Sequence, residues 1–69
     1  MENTIRVERA KVRITQKELA DRVNVSRQTI HAIETGKFIP RIILAMKIAR
    51  FFNKPVESIF KLGHNERVN

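Results

Sequence analysis

Arg27, Gln28, His31, Ala32 and Thr35 follow one another at helical spacing. At about 100° per residue, His31 falls about 40° round from Arg27, Thr35 about 80°, Gln28 about 100° and Ala32 about 140°. These five residues share one arc with no acid among them. Ile30 and Ile33 lie together on the opposite side, and Glu34 turns back toward the body of the protein. An arginine can pair with guanine through two parallel hydrogen bonds, a glutamine amide can pair with adenine, and an alanine methyl can meet the methyl of thymine. Arg27 and Gln28 also sit in the first turn, the part of such a helix that comes nearest to base edges. A solvated helix face satisfies the same residues without any partner, so the arc alone leaves both readings open.

The elements that must hold this arc are marked by their ends. Ser26 is a suitable N-cap for a helix over Arg27–Thr35, which Gly36 stops. Upstream, Thr15-x-x-Glu18 is a capping box that starts a helix over Gln16–Val23, and Asn24 ends it because asparagine tolerates a left-handed backbone. The two short helices are thus joined by a three-residue turn, Asn24-Val25-Ser26. A steep crossing needs a small residue at the contact, which Ala20 supplies, while Val25, Ile30 and Ile33 pin the second helix to a core. A preceding helix is expected over Thr4–Val12, with Ile5, Val12 and the stem of Arg9 facing inward.

After Pro40 the pattern changes. Between Arg41 and Phe52 only Lys47 and Arg50 are polar, so this helix is expected to be buried nearly all round as the central post, with one side free for a subunit interface. Asn53 stops it, and Pro55 opens a short helix over Val56–Phe60. No strand alternation longer than a few residues appears. The expected fold is all-α, a compact five-helix bundle in one domain, with its core at about residues 4–62 and a polar, frayed tail over 63–69.

Composition narrows the function. Fourteen Lys and Arg against seven Asp and Glu give a net charge of +7 and a pI near 10.9, which favours a polyanionic partner. The absence of cysteine removes disulfides and thiolate metal sites. With one aspartate, no glycine-rich phosphate loop and no Ser/His/Asp grouping, no enzyme and no cofactor or metal are expected. The acidic start Met1-Glu2-Asn3-Thr4 lacks the bases and apolar run of a signal peptide, and the longest apolar run, Ile42–Met46, is far short of a span. A cytoplasmic protein with no membrane partner is therefore expected. A domain this small buries only roughly 60% of its unfolded surface, so with disulfides and metals removed, self-association is the stabiliser left.

The segment from Gln16 to Lys37, with its Ser26-Arg27-Gln28-Thr29-Ile30 run and its Ile33-Glu34-Thr35-Gly36-Lys37 close, resembles the phage repressor/Cro-type helix-turn-helix regulators. The likeness continues through Leu44–Ala49 and Val56–Phe60. It implies a lambda-repressor-like DNA-binding domain of the short, single-domain kind, acting as a homodimer on a palindromic double-stranded operator. Under that resemblance Arg27, Gln28 and Ala32 face bases. Gln16 bonds a phosphate and braces Gln28, and Lys17, Thr29, His31, Thr35, Lys37 and Arg41 lie near the backbone. Arg9 is placed to pair with Glu34, where an ordinary exposed charge is the plainer reading. Three residues depart from the family: Asn24 stands where glycine is usual, Arg41 replaces a small polar residue, and Ile43 occupies a position usually polar.

Phe51, Phe52, Val56, Ile59, Phe60 and Leu62 are the expected dimer surface, the phenylalanines being otherwise core. A stacking platform for single strands fits those rings less well, because their helix faces are expected to be covered. His31 is either a phosphate contact or an ordinary exposed histidine, and His64 is incidental. A small-molecule ligand is not expected, since 69 residues leave no room for a sensing module. Two other functions share this fold and charge: an antitoxin that binds a partner toxin as well as its operator, and a coating protein that binds nucleic acid without sequence preference.

Overall fold

A computed structural model describes residues 1–68; Asn69, the last residue of the expected tail, lies outside the described residues. The capping signals translate directly into helix boundaries. Thr15 opens α2 (Gln16–Val23) with both halves of its capping box formed: Glu18 N–H donates to Thr15 Oγ1 at 3.0 Å, and Thr15 N–H donates to Glu18 Oε1 at 2.9 Å. Asn24 closes the helix in the left-handed region at φ 62°. Ser26 caps α3 (Arg27–Glu34) by accepting from the Thr29 N–H at 3.1 Å. Gly36, at φ 78°, makes the turn that follows, and a side chain there would strain that backbone.

The remaining helices are α1 (Ile5–Val12), α4 (Ile42–Phe51) and α5 (Val56–Ile59). Each helix sends at least one residue into a single core. Ile5, Leu19, Ala20, Val23, Ile30, Ile33, Ile48 and Ile59 are buried, with Ala45, Ala49 and Phe60 closing its edge. Ala20 is 1% exposed, as expected of the small residue between α2 and α3.

Several expectations need correction. Val12 is 53% exposed, and the inner face of α1 is instead Ile5, Glu8 and Arg9. The buried Glu8 is held by Lys54 at 3.0 Å and Lys11 at 3.4 Å, which ties α1 to the turn after α4. The helix α4 is not covered all round: Ala45, Ile48 and Ala49 face the core, but Ile42 is 74%, Ile43 67% and Met46 55% exposed. The other elements of one chain cover only half of this helix.

Two short strands were not foreseen. β1 (Glu2–Asn3) pairs antiparallel with β2 (Phe60–Lys61), with Asn3 opposite Phe60, so α5 ends one residue earlier than expected. Asn3 also donates from Nδ2 to the Ile33 carbonyl at 2.8 Å, linking the strap to α3. The expected frayed tail contains a 3₁₀ turn over His64–Glu66. The Gly63 N–H and the Met1 ammonium converge on the Glu66 carboxylate there and hold it below its ordinary pKa.

Candidate nucleic-acid interface

The outer face of α3 carries the expected arc. Arg27, Gln28, His31 and Thr35 are exposed and Ala32 is half-buried, while Ile30 and Ile33 are fully buried beneath them. Among the described residues Gln28 makes no side-chain hydrogen bond within the chain, so its amide remains available. Lys37, just past α3, and Arg41, at the start of α4, are exposed cations outside the described ion pairs.

Other members of the set are already engaged. Lys17 donates to Asp21 Oδ2 at 3.1 Å, an exposed pair one helical turn apart of the kind worth about 0.3–0.5 kcal/mol. Thr29 Oγ1 shares a hydrogen with Ser26 Oγ at 2.9 Å. The Thr35 hydroxyl donates to the carbonyls of His31 at 2.9 Å and Ala32 at 3.2 Å. A phosphate oxygen only accepts, so Thr35 would have to leave those carbonyls to reach one.

Beneath the arc lies a polar anchor. Arg9 donates to Glu34 through Nε at 2.6 Å and Nη2 at 3.1 Å, and its Nη1 holds the Ile14 carbonyl at 2.9 Å. The fork ties α1 to α3 and to the loop before α2; it is the pair that the resemblance implied. The Glu34 side chain is 2% exposed and that of Arg9 15%. Burial pushes the Glu34 carboxyl up, but hydrogen bonds from Arg9 and Gln16 outweigh it and leave its pKa lowered.

Gln16 differs from expectation. Its amide does not brace Gln28. Nε2 donates to Glu34 Oε1 at 3.1 Å and lies 3.2 Å from His31 Nδ1, while Oε1 accepts from Arg27 Nη1 at 3.2 Å. The signal for Gln16–Glu34 was present in the sequence, since a buried carboxylate with two oxygens needs more than one donor. The choice of His31 over Gln28 depends on side-chain rotamers that spacing does not reveal.

The expected dimer residues divide. Ile59, at 0% exposure, and Phe60, at 7%, belong to the chain's own core and have no surface to offer a second copy. Phe51, Phe52 and Val56 are half-buried and Leu62 is exposed. Phe51 packs near-perpendicular to Phe52, centroids 5.0 Å apart, with the Arg22 guanidinium 5.8 Å from its ring centroid. The described residues contain no cluster of three His, Asp or Glu side chains that could hold a metal, and no helix long and apolar enough to cross a membrane.

Two short helices joined by a tight turn, the second set on the core with a polar, cationic face outward, define a helix-turn-helix domain. The helix-turn-helix family model matches residues 5–59, and the chain belongs to that family, which is not enzymatic. The chain is 50% identical over 60 residues to an uncharacterized HTH-type transcriptional regulator of Methanocaldococcus jannaschii, covering 87% of this chain and 91% of that one. It is 48% identical over 66 residues to one from Archaeoglobus fulgidus, covering 96% and 93%. It is 39% identical over 62 residues to the uncharacterized HTH-type transcriptional regulator YgzD of Bacillus subtilis, covering 90% and 94%.

Proposed function

We propose that this protein is a sequence-specific, double-stranded-DNA-binding transcriptional repressor, cytoplasmic, that docks α3 in the major groove as a homodimer. The observation that carries the reading is the acid-free arc of α3, presented outward on a helix anchored from below by the Arg9–Glu34 pair. Arg27 and Gln28 read bases with Ala32 beside them, and Lys37 and Arg41 grip the backbone on either side of the loop between α3 and α4. The names of the relatives agree with a regulatory role.

The dimer surface is drawn from what the single chain leaves uncovered. Half-buried Val56 lines an open groove with Met46, Ala49 and Pro55, rimmed by Arg50, Asn53 and Lys54, and exposed Ile42 lies one turn before Met46 on α4. The proposed interface therefore extends further toward the start of α4 than the sequence suggested. Two copies related by a two-fold axis would read half-sites about one helical turn apart.

Selection of bound sequences from a random duplex pool tests the reading, with a two-fold symmetric consensus as the expected result. Gln28→Ala should weaken binding to that consensus by about 1–3 kcal/mol and relax preference at one base pair of each half-site. Unchanged affinity for the consensus in that variant would exclude the docking.

A further inference from the structure

The hydrogen bonds under α3 have a direction, and that direction reaches the surface. Glu34 is buried and ionised, and a carboxylate can only accept. Of the two ends of the Gln16 amide, the nitrogen must therefore face it. One N–H of that nitrogen goes to Glu34 Oε1 at 3.1 Å, and the other is left pointing at His31 Nδ1, 3.2 Å away. The second contact is a hydrogen bond only if Nδ1 carries its lone pair. In the neutral ring that places the proton on Nε2, at the outer edge. The same orientation turns Gln16 Oε1 outward, where it accepts from Arg27 Nη1 at 3.2 Å and holds the guanidinium over the start of α3.

We infer that Gln16 is a positioning residue that fixes the tautomer of His31 and the placement of Arg27, so that α3 presents an N–H donor outward at His31 and an oriented guanidinium whose facing base pair carries guanine. The two-donor fork of Arg27 matches the paired acceptors of guanine, N7 and O6. The single His31 N–H is met by any base-edge acceptor, including adenine N7 and thymine O4, and is mismatched only to an amino donor. The chain of cause runs from Arg9 through Glu34 and Gln16 to the reading surface, so the buried Arg9–Glu34 pair bears on how the reading residues are presented. Gln28 lies outside the relay and keeps both donor and acceptor. The inference rests on the docking of α3 for its guanine assignment, but not for the state of His31.

The test has two parts. Long-range 1H–15N correlations of the imidazole rings of the free protein, at a pH where both are neutral, report where each proton sits. His64, exposed and without a side-chain hydrogen bond among the described residues, is the internal reference. His31 is expected to be wholly in the Nε2–H form, with Nδ1 showing an accepted hydrogen bond, and to take on the mixed pattern of His64 in Gln16→Met. If wild-type His31 matches His64, or if Gln16→Met leaves it unchanged, the relay is wrong. The wild-type measurement decides the point even if the variant folds poorly.

Sequence selection with both proteins then tests the guanine assignment. Gln16→Met is expected to reduce guanine preference about fivefold or more at the position facing Arg27, leaving the position read by Gln28 unchanged. Preference is a ratio, so loss of any backbone contact by Gln16 itself cancels. An equal loss for all sequences would mean that the donors meet phosphates, and the guanine assignment falls. Absence of any sequence preference in the wild type would overturn the docking of α3 and the guanine assignment with it, while the ring measurement still judges the relay.

Discussion

The pair α2–α3 and the helix α4 are built from the same kinds of residues but are held in different ways. Each helix of the pair has a side-chain cap at its N-terminus, Thr15 with Glu18 in one and Ser26 in the other. Each buries one stripe and exposes a polar face, and the pair is tied from below by the Arg9–Glu34 fork. The start of α4 has no side-chain cap, with Arg41 at the capping position, and its exposed side carries Ile42, Ile43 and Met46. The first region is complete within one chain. The second leaves apolar surface in water, which a monomeric protein seldom does with several neighbouring large side chains.

The largest expected effect strikes the self-sufficient region. Glu34→Ala leaves the Arg9 guanidinium largely buried and unpaired and should cost about 3–5 kcal/mol, lowering the thermal midpoint by more than about 10 °C. Acid probes the same group without mutation. The folded-state pKa of Glu34 is lowered from 4.5, so its stabilisation is full above that value and is lost as pH falls through the folded pKa. Glu8 and Glu18 are shifted the same way, Glu8 first by its hydrogen bond from Lys54 and Glu18 by the Thr15 N–H, so acid titration should show a common loss of stability below about pH 4.5. Glu34→Ala should show less of that loss than the wild type in denaturant melts, and an unchanged pH slope would remove Glu34 from the account.

The exposed side of α4 should respond in the opposite sense. Ile42→Glu with Met46→Glu should change the stability of a single chain by no more than about 1 kcal/mol, because both side chains are more than half exposed. The same pair should weaken self-association by tenfold or more in sedimentation equilibrium, since each buried side chain contributes about 1.5–3 kcal/mol. Unfolding of the chain by these changes would erase the contrast between the two regions. The smallest effects compare the caps themselves. Thr15→Ala should destabilise by about 1 kcal/mol. Arg41→Ser should gain up to about 1 kcal/mol by capping α4, while weakening DNA binding and reducing the salt slope by about one. A loss of stability in Arg41→Ser would show that Arg41 holds α4 in a way its exposed position does not suggest.

What could be read from the sequence was local. A capping box spans four residues, and a left-handed stop at Asn24 or Asn53 needs only one, so the boundaries of α2 and the start of α3 followed from types and spacing, while α3 and α4 each end one residue earlier than expected. The arc on α3 required only the helical period. The Arg9–Glu34 pair came from resemblance, because no local rule joins residues 25 apart. Glu8 was readable and was missed: it stands three residues after Ile5, on the inner face, and a buried carboxylate requires the cations found at Lys54 and Lys11. The exposure of α4 could not be read, since an apolar helix looks the same whether its cover comes from its own chain or from another. The β1–β2 pair was equally hidden, because two-residue strands carry no alternation.

That small pair also bears on how the chain folds. Glu2 meets Lys61, and the Thr4 N–H donates to the Ile59 carbonyl at 2.9 Å, so these hydrogen bonds join parts of the chain separated by nearly its whole length. Contacts of this kind gain nothing until the entropy of closing the intervening loop has been spent, whereas α2 and α3 meet across a three-residue turn. The ladder should therefore be the last part to form and the first to open, and its amide hydrogens should exchange well before those of Ile30 and Ile33. The reading helix would then hold its shape through fluctuations that part the two ends of the molecule.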